Sequence, residues 1–288
     1  MEFPNYFADA DANYNEADYV IFGIPYDKTS TFRKGASLAP DEIRKASWNF
    51  ETYNFKTGFD LKNLKIHDYG NLDVKNLEPS EMIKKVFNFT KKLLKDKKFP
   101  IAIGGEHSVS IGIINAFPEN IAVLSLDAHL DFRDSYENVK FNHACVIKRI
   151  SEHISINNIT ILGFRSADKE EFLDAKGKNL FFIDSFDIQQ NGIKEAIESI
   201  KNRLKKKKIY LTFDIDVLDP CYLPGTSTPE PFGISTFDVK EIIESFSDQI
   251  IGFDLVELCP KYDTGISSIL AAKLIRLFLE KKIIINNK

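Results

Sequence analysis

Residues 121–131 read IAVLSLDAHLD: an apolar run that passes without a break into Asp127, His129 and Asp131. A run of this length with no polar alternation suits a strand covered on both faces, as in a parallel sheet sandwiched by helices. The i, i+2, i+4 spacing at its end turns two carboxylates and an imidazole to one side. Ligands of open parallel sheets bind beyond the carboxyl ends of the strands, so the same eleven letters indicate a fold class and a site.

Working outward, similar runs lie at 19–24, 64–68, 100–103, 159–162, 180–183, 209–213 and 250–255, which makes eight candidate strands. Helical patterns fill the spaces between them, near 79–94, 168–175, 193–204, 236–246 and 266–279, with a further start at Pro40. Pro40-Asp41-Glu42 and Pro79-Ser80-Glu81 each place proline and acid in a first helical turn. Strand and helix alternate throughout, with no composition break, repeat or linker. The expectation is one three-layer α/β/α domain over 1–288 around a mostly parallel sheet of about eight strands.

A chain of 288 residues, 43% hydrophobic and 28% charged, can bury a sizeable core and is not composed like a disordered one. Its net charge of -4 gives no footprint for nucleic acid. The one basic run, Lys205 to Lys208, ends a helical pattern and reads as a solvated helix end. The N-terminal residues have no apolar signal segment and no later stretch has membrane-spanning length, so a cytoplasmic protein is expected. Cys145, Cys221 and Cys259 are odd in number and far apart, which argues for reduced thiols and against a disulfide framework or a C-x-x-C zinc site.

Two more strand ends repeat the pattern of the first. The run at 209–213 enters Asp214-Ile215-Asp216, and that at 100–103 enters Gly104-Gly105-Glu106-His107. Singly these are weak: Asp is common in loops, and a His after two glycines caps a helix as readily as it binds a metal. Together, at three strand ends, they form an oxygen-rich set with two imidazoles that suits a harder dication such as Mn²⁺, and four aspartates balance two such ions. His143 is the third of five histidines near these motifs, whereas His67 and His153 have no such company and read as structural.

These residues resemble the ureohydrolases, the family of arginase, agmatinase and formiminoglutamase. The matching segments are GGEHS at 104–108, SLDAHLDFRD at 125–134, FDIDVLDP at 213–220, PGTSTPEPFG at 224–233 and DLVELCP at 254–260, with GIPYDKTSTFRKGASLAPDEIRKAS at 23–47 upstream. The resemblance implies an arginase-like fold and two Mn²⁺ per subunit, with Co²⁺, Fe²⁺ or Zn²⁺ acceptable to the same ligands. One ion would be held by His107, Asp127, Asp131 and Asp214, the other by Asp127, His129, Asp214 and Asp216, so that Asp127 and Asp214 bridge. A hydroxide shared by the two ions would attack the guanidinium carbon. Asp131 would carry the proton toward the leaving nitrogen, Glu257 would hold the guanidinium, and His143 would shuttle protons or touch substrate. Glu106 stands where many relatives have Asp, and the cysteines read as packing residues. The resemblance also implies a trimer or hexamer.

The loop DFRDSYENVKFNHACVIKR at 131–149 lacks the D-I-N-T-P and S-G-N-L-H-G segments with which arginase-like members read an amino-acid head; its R-D-S-Y and H-A-x-V forms are similar to agmatinases. The expected reaction is hydrolysis of agmatine to putrescine and urea, a polyamine-forming step, with Asp134 and Glu137 available for the far ammonium. Alternatives within the class are arginine, guanidinobutyrate and formiminoglutamate. Outside it stand a phosphotransferase using Asp214-Ile215-Asp216, which leaves the histidines unexplained, and a catalytically silent metal-binding protein on the same fold.

Overall fold

The computed structural model describes residues 3–286. Ten strands form: β1 (Tyr19–Ile24), β2 (Tyr53–Asn54), β3 (Phe59–Asp60), β4 (Ile66–Asn71), β5 (Phe99–Gly104), β6 (Ala122–Leu126), β7 (Ile159–Phe164), β8 (Phe181–Asp184), β9 (Ile209–Asp214) and β10 (Ile250–Val256). Eight of them make one sheet in the order β4-β1-β5-β10-β9-β6-β7-β8, and every pair in it is parallel. The sheet is therefore wholly rather than mostly parallel. Strands β1, β6, β7 and β9 are buried at every residue, which is why their sequences carry no alternation. The edge strand β4 is half-exposed, and it starts two residues and ends three residues later than its sequence pattern suggests.

Among the described residues nine helices cover the two faces: α1 (Ala39–Ser47), α2 (Pro79–Lys95), α3 (Val109–Ile114), α4 (Val146–Ile150), α5 (Lys169–Gly177), α6 (Ser185–Asn191), α7 (Ile193–Leu204), α8 (Thr236–Phe246) and α9 (Ile266–Asn286). Apolar side chains of α1, α6, α7, α8 and α9 pack on one face, those of α2, α3, α4 and α5 on the other, giving three layers. α2 starts with a capping box between Glu78 and Glu81 and α8 with one between Ser235 and Asp238, so both begin where their sequences signal a start. Helices α3, α4 and α6 and the β2-β3 hairpin have no counterpart in the sequence pattern. α3 is six residues long and buried all round, so it has no polar face from which a helical period could be read.

Register decides what the sheet offers at its carboxyl edge. Leu126 pairs with Phe213, Phe213 with Leu255 and Leu255 with Ile103, one straight row across the four central strands. The next residues of β6, β9 and β10 are Asp127, Asp214 and Val256, so the motif residues emerge together on the next rung. Gly105 locks β5 into this edge: a Cβ there would lie 1.8 Å from the Tyr26 carbonyl oxygen, and its carbonyl accepts from Glu257 N at 2.8 Å.

Candidate metal centre and substrate cavity

His107, Asp127, Asp131, Asp214 and Asp216 are all buried at the carboxyl edge, and His129 is half-buried beside them. His107 Nδ1 lies 3.2 Å from Asp127 Oδ2, 3.0 Å from Asp131 Oδ2 and 3.3 Å from Asp214 Oδ2. His129 Nδ1 lies 3.0 Å from Asp216 Oδ2 and 3.7 Å from Asp127 Oδ1. Two groups of this kind can each surround a cation, His107-Asp127-Asp214 and Asp127-His129-Asp216, and Asp127 belongs to both. The six side chains singled out at three strand ends thus converge on one spot.

Three of the four carboxylates are anchored through Oδ1. Asp127 Oδ1 accepts from His129 N, Asp214 Oδ1 from Asp216 N and Asp216 Oδ1 from Ala128 N, at 2.7, 3.0 and 3.1 Å. Asp127 Oδ2 and His107 Nδ1 are buried and make no hydrogen bond. Buried polar atoms in proteins are as a rule paired, and two orphans facing each other across 3.2 Å fit the donor set of a bound cation. Asp131 holds its place with a φ of 47° and Glu257 with 65°, both in the left-handed region that non-glycine residues seldom occupy.

The charge of this cage needs compensation. Burial alone would lower His107 and His129, yet the surrounding aspartates hold both well above the usual histidine value. Burial and the Asp127 charge push Asp131 up to about 7, and burial with Asp216 and Asp127 raises Asp214 well above the carboxylate range. Asp216 goes the other way, to about 2, because the His129 cation outweighs its burial. Protons on these groups hold the charge that dications hold in a metal site.

Beneath the cage runs a relay that the sequence patterns do not reveal. His107 Nε2 sits 3.0 Å from Thr212 Oγ1, Thr212 donates to Asp254 Oδ1 at 2.7 Å, and Tyr210 donates its hydroxyl to Asp254 Oδ2 at 2.9 Å. Thr212 and Asp254 are register partners on β9 and β10, and the whole relay is buried. It gives the His107 Nε2 proton a fixed acceptor and turns Nδ1 toward the aspartates, the nitrogen that would ligate once its own proton is displaced. Its one sequence signal is an acid in the middle of the apolar strand GFDLV.

A cavity of about 210 Å³ opens above the cage, walled by His107, His129, Asp131, Asp214, His143 and Glu257, and farther out by Arg133, Tyr136 and Glu171. Glu257 accepts from His107 N at 2.6 Å through Oε1 and from the Ser227 hydroxyl through Oε2; burial pushes it up to about 7 against the pull of that Ser227 bond. Asp134 and Glu137 do not face this cavity. Asp134 is instead paired with Arg149 at 2.6 Å, and the acid of the outer wall is Glu171, which accepts from Phe132 N and from Arg133. Arg133 also lies over the Tyr136 ring, 4.7 Å from its centroid.

Of the remaining residues, Cys221 alone departs from the role expected of it, since all three cysteines read as packing residues by sequence. His67 and His153 bond to the carbonyls of Ala12 and Phe117 and stand apart from the cage. Cys145 and Cys259 are buried packing residues, whereas Cys221 is exposed; all three are free thiols. Lys205 to Lys208 are exposed just past α7.

Residues 17–280 match the sequence model of the arginase family. An agmatinase of Halalkalibacterium halodurans is 34% identical over 275 residues, 93% of each chain. An N(1)-aminopropylagmatine ureohydrolase of Thermococcus kodakarensis is also 34% identical, over 90% of this chain and 89% of its own. The crystal structure of the agmatine ureohydrolase of Thermoplasma volcanium superposes with a TM-score of 0.95 at 39% identity, covering 100% of this chain and 97% of that one.

Proposed function

The chain belongs to the arginase family, and from that premise we propose that it hydrolyses the guanidinium C–N bond of agmatine to give putrescine and urea. The observation that carries the reading is the buried His/Asp cage with its two unpaired inward atoms, opening on a cavity that holds a buried glutamate.

In this reading His107, Asp127, Asp131 and Asp214 hold one dication and Asp127, His129, Asp214 and Asp216 the other, with Mn²⁺ favoured by the oxygen-rich set. Bound there, two dications lower the pKa of water enough for attack near neutral pH. Asp131, adjoining His107 in the cage, takes the proton released on attack and passes it toward the leaving nitrogen. Glu257 has a lone pair left on each oxygen after binding His107 N and Ser227, and a guanidinium needs such acceptors to be held and aimed. His143, on the cavity wall, serves as the second proton carrier.

The tail of the substrate meets the outer wall, where Glu171 and the Tyr136 ring suit a cationic amine. An aminopropyl-extended agmatine is the second reading, favoured because relatives bearing that activity in their names match as well as the agmatinases do. The deciding experiment is product release by the Mn²⁺-loaded protein from agmatine, N1-aminopropylagmatine, arginine, guanidinobutyrate and formiminoglutamate. Agmatine should give the largest kcat/KM, and a larger value for any other member of the panel refutes the assignment.

The free thiols suit a reducing compartment, which supports placement in the cytoplasm. Among the described residues no helix is long and apolar enough to cross a membrane. Exposed Phe55 and Phe237 flank one groove and support self-association, as a trimer or hexamer by family resemblance.

A further inference from the structure

Glu106 follows Gly105 at the end of β5 and is wholly buried, yet it touches none of the cage carboxylates. Its partners come instead from the loop after β1. Oε2 accepts from Thr29 N at 2.6 Å, Ser30 N at 3.1 Å and Ser30 Oγ at 3.5 Å, while Oε1 accepts from Thr29 Oγ1 at 2.6 Å and from the Ser108 hydroxyl. Two of these donors are backbone N–H groups, which cannot turn round. A carboxylate meets this arrangement with acceptors alone.

The consequence reaches His143. Thr29 Oγ1 lies 3.1 Å from His143 N and 3.3 Å from His143 Nδ1. A hydroxyl has one proton and two lone pairs. The Thr29 proton is committed to Glu106 in the shortest of the three contacts at that hydroxyl, and one lone pair takes the His143 backbone N–H. The other lone pair remains for the ring, which must then present a proton on Nδ1. The edge-on Tyr136 ring, centred 6.0 Å away, borders the imidazole as well.

We propose that Glu106 is a positioning residue which, acting through Thr29, holds His143 with its proton on Nδ1 and leaves Nε2 as the bare nitrogen at the cavity wall. A bare Nε2 can accept a proton in one half of a hydrolysis and return it to a departing amine in the other; the opposite tautomer cannot begin that exchange. The tautomer follows from the hydrogen bonds alone, while its use in proton transfer rests on the hydrolase reading above.

The test compares Thr29→Val, which keeps the shape and the backbone donor but removes the hydroxyl, with Thr29→Ser, which restores it. Each is loaded with metal and assayed on whichever guanidino compound the parent turns over fastest, so a wrong choice of agmatine leaves the comparison intact. Thr29→Val should lose roughly 10- to 100-fold in kcat with KM within about twofold and metal content unchanged, and Thr29→Ser should recover to within about threefold. The ¹⁵N shifts of His143, read with a diamagnetic dication bound, should report a proton on Nδ1 in the parent and in Thr29→Ser but not in Thr29→Val. An unchanged ring pattern or kcat in Thr29→Val, or an equal loss in Thr29→Ser, overturns the proposal. A parent that cleaves no guanidino compound overturns the hydrolase reading instead, and the ring pattern still decides the tautomer.

Discussion

Thr212→Val removes one hydroxyl from beneath the cage and changes the volume of the side chain little. In the parent, that hydroxyl accepts from His107 Nε2 at 3.0 Å and donates to Asp254 at 2.7 Å, all three groups being buried. In the variant the Nε2 proton has no acceptor, and a buried donor left unpaired costs about 1–3 kcal/mol. The metal-free protein escapes most of this by giving up the Nε2 proton and keeping the one that Nδ1 shares with the aspartates. A ring that ligates through Nδ1 has no such choice, so the cost falls on the bound state. At about 1.4 kcal/mol per tenfold it amounts to roughly 5- to 150-fold in affinity, and the usual effect of removing the outer partner of a ligating histidine is about 10- to 100-fold. The two estimates agree. Calorimetric titration of chelator-stripped protein with Mn²⁺ should show one of two sites weakened by about 10- to 100-fold, and Thr212→Ser close to the parent. Two sites filled by Thr212→Val as tightly as by the parent would refute the reasoning, because His107 would then need no partner to aim it.

Metal loading should weaken as pH falls, since Asp131, at about 7 through burial and the Asp127 charge, must be ionised to ligate. The sign follows from that pKa: below 7 each proton displaced costs about tenfold in affinity per pH unit, and calorimetry in buffers of different ionisation enthalpy should count at least one proton released. Glu257→Gln should lower kcat/KM about 10- to 150-fold, the worth of a hydrogen bond to a charged group, with both metals retained; loss of metal would show that Glu257 supports the cage instead. Gly105→Ala drives a Cβ into the Tyr26 backbone and should cost ~3 kcal/mol or more in chemical denaturation. Light scattering should find an oligomer, dissociated by Phe55→Glu if the groove between Phe55 and Phe237 is the interface.

Much of the architecture is local information. The buried strands read as unbroken apolar runs, and α7 and α8 occupy 193–204 and 236–246 as their 3.6-residue periods require. The candidate ligands were legible for the same reason: a period-two spacing at a strand end is a property of a few consecutive residues. Where an element is short or buried all round, as in α3, no period survives to be read.

The partners of those ligands are another matter. Thr212 and Asp254 are 42 residues apart and meet because β9 and β10 pair in one register; Thr29 and Glu106 are 77 apart and meet because β1 lies beside β5. Asp134, next to the motif in sequence, pairs with Arg149, while Glu171 reaches the cavity wall from another element. The eight strands of the main sheet, the fold class and the six candidate ligands could thus be read from local sequence. Which partners those side chains have, and which acid lines the cavity, came from the tertiary fold, because hydrogen bonds are set by distances of about 3 Å between residues far apart along the chain.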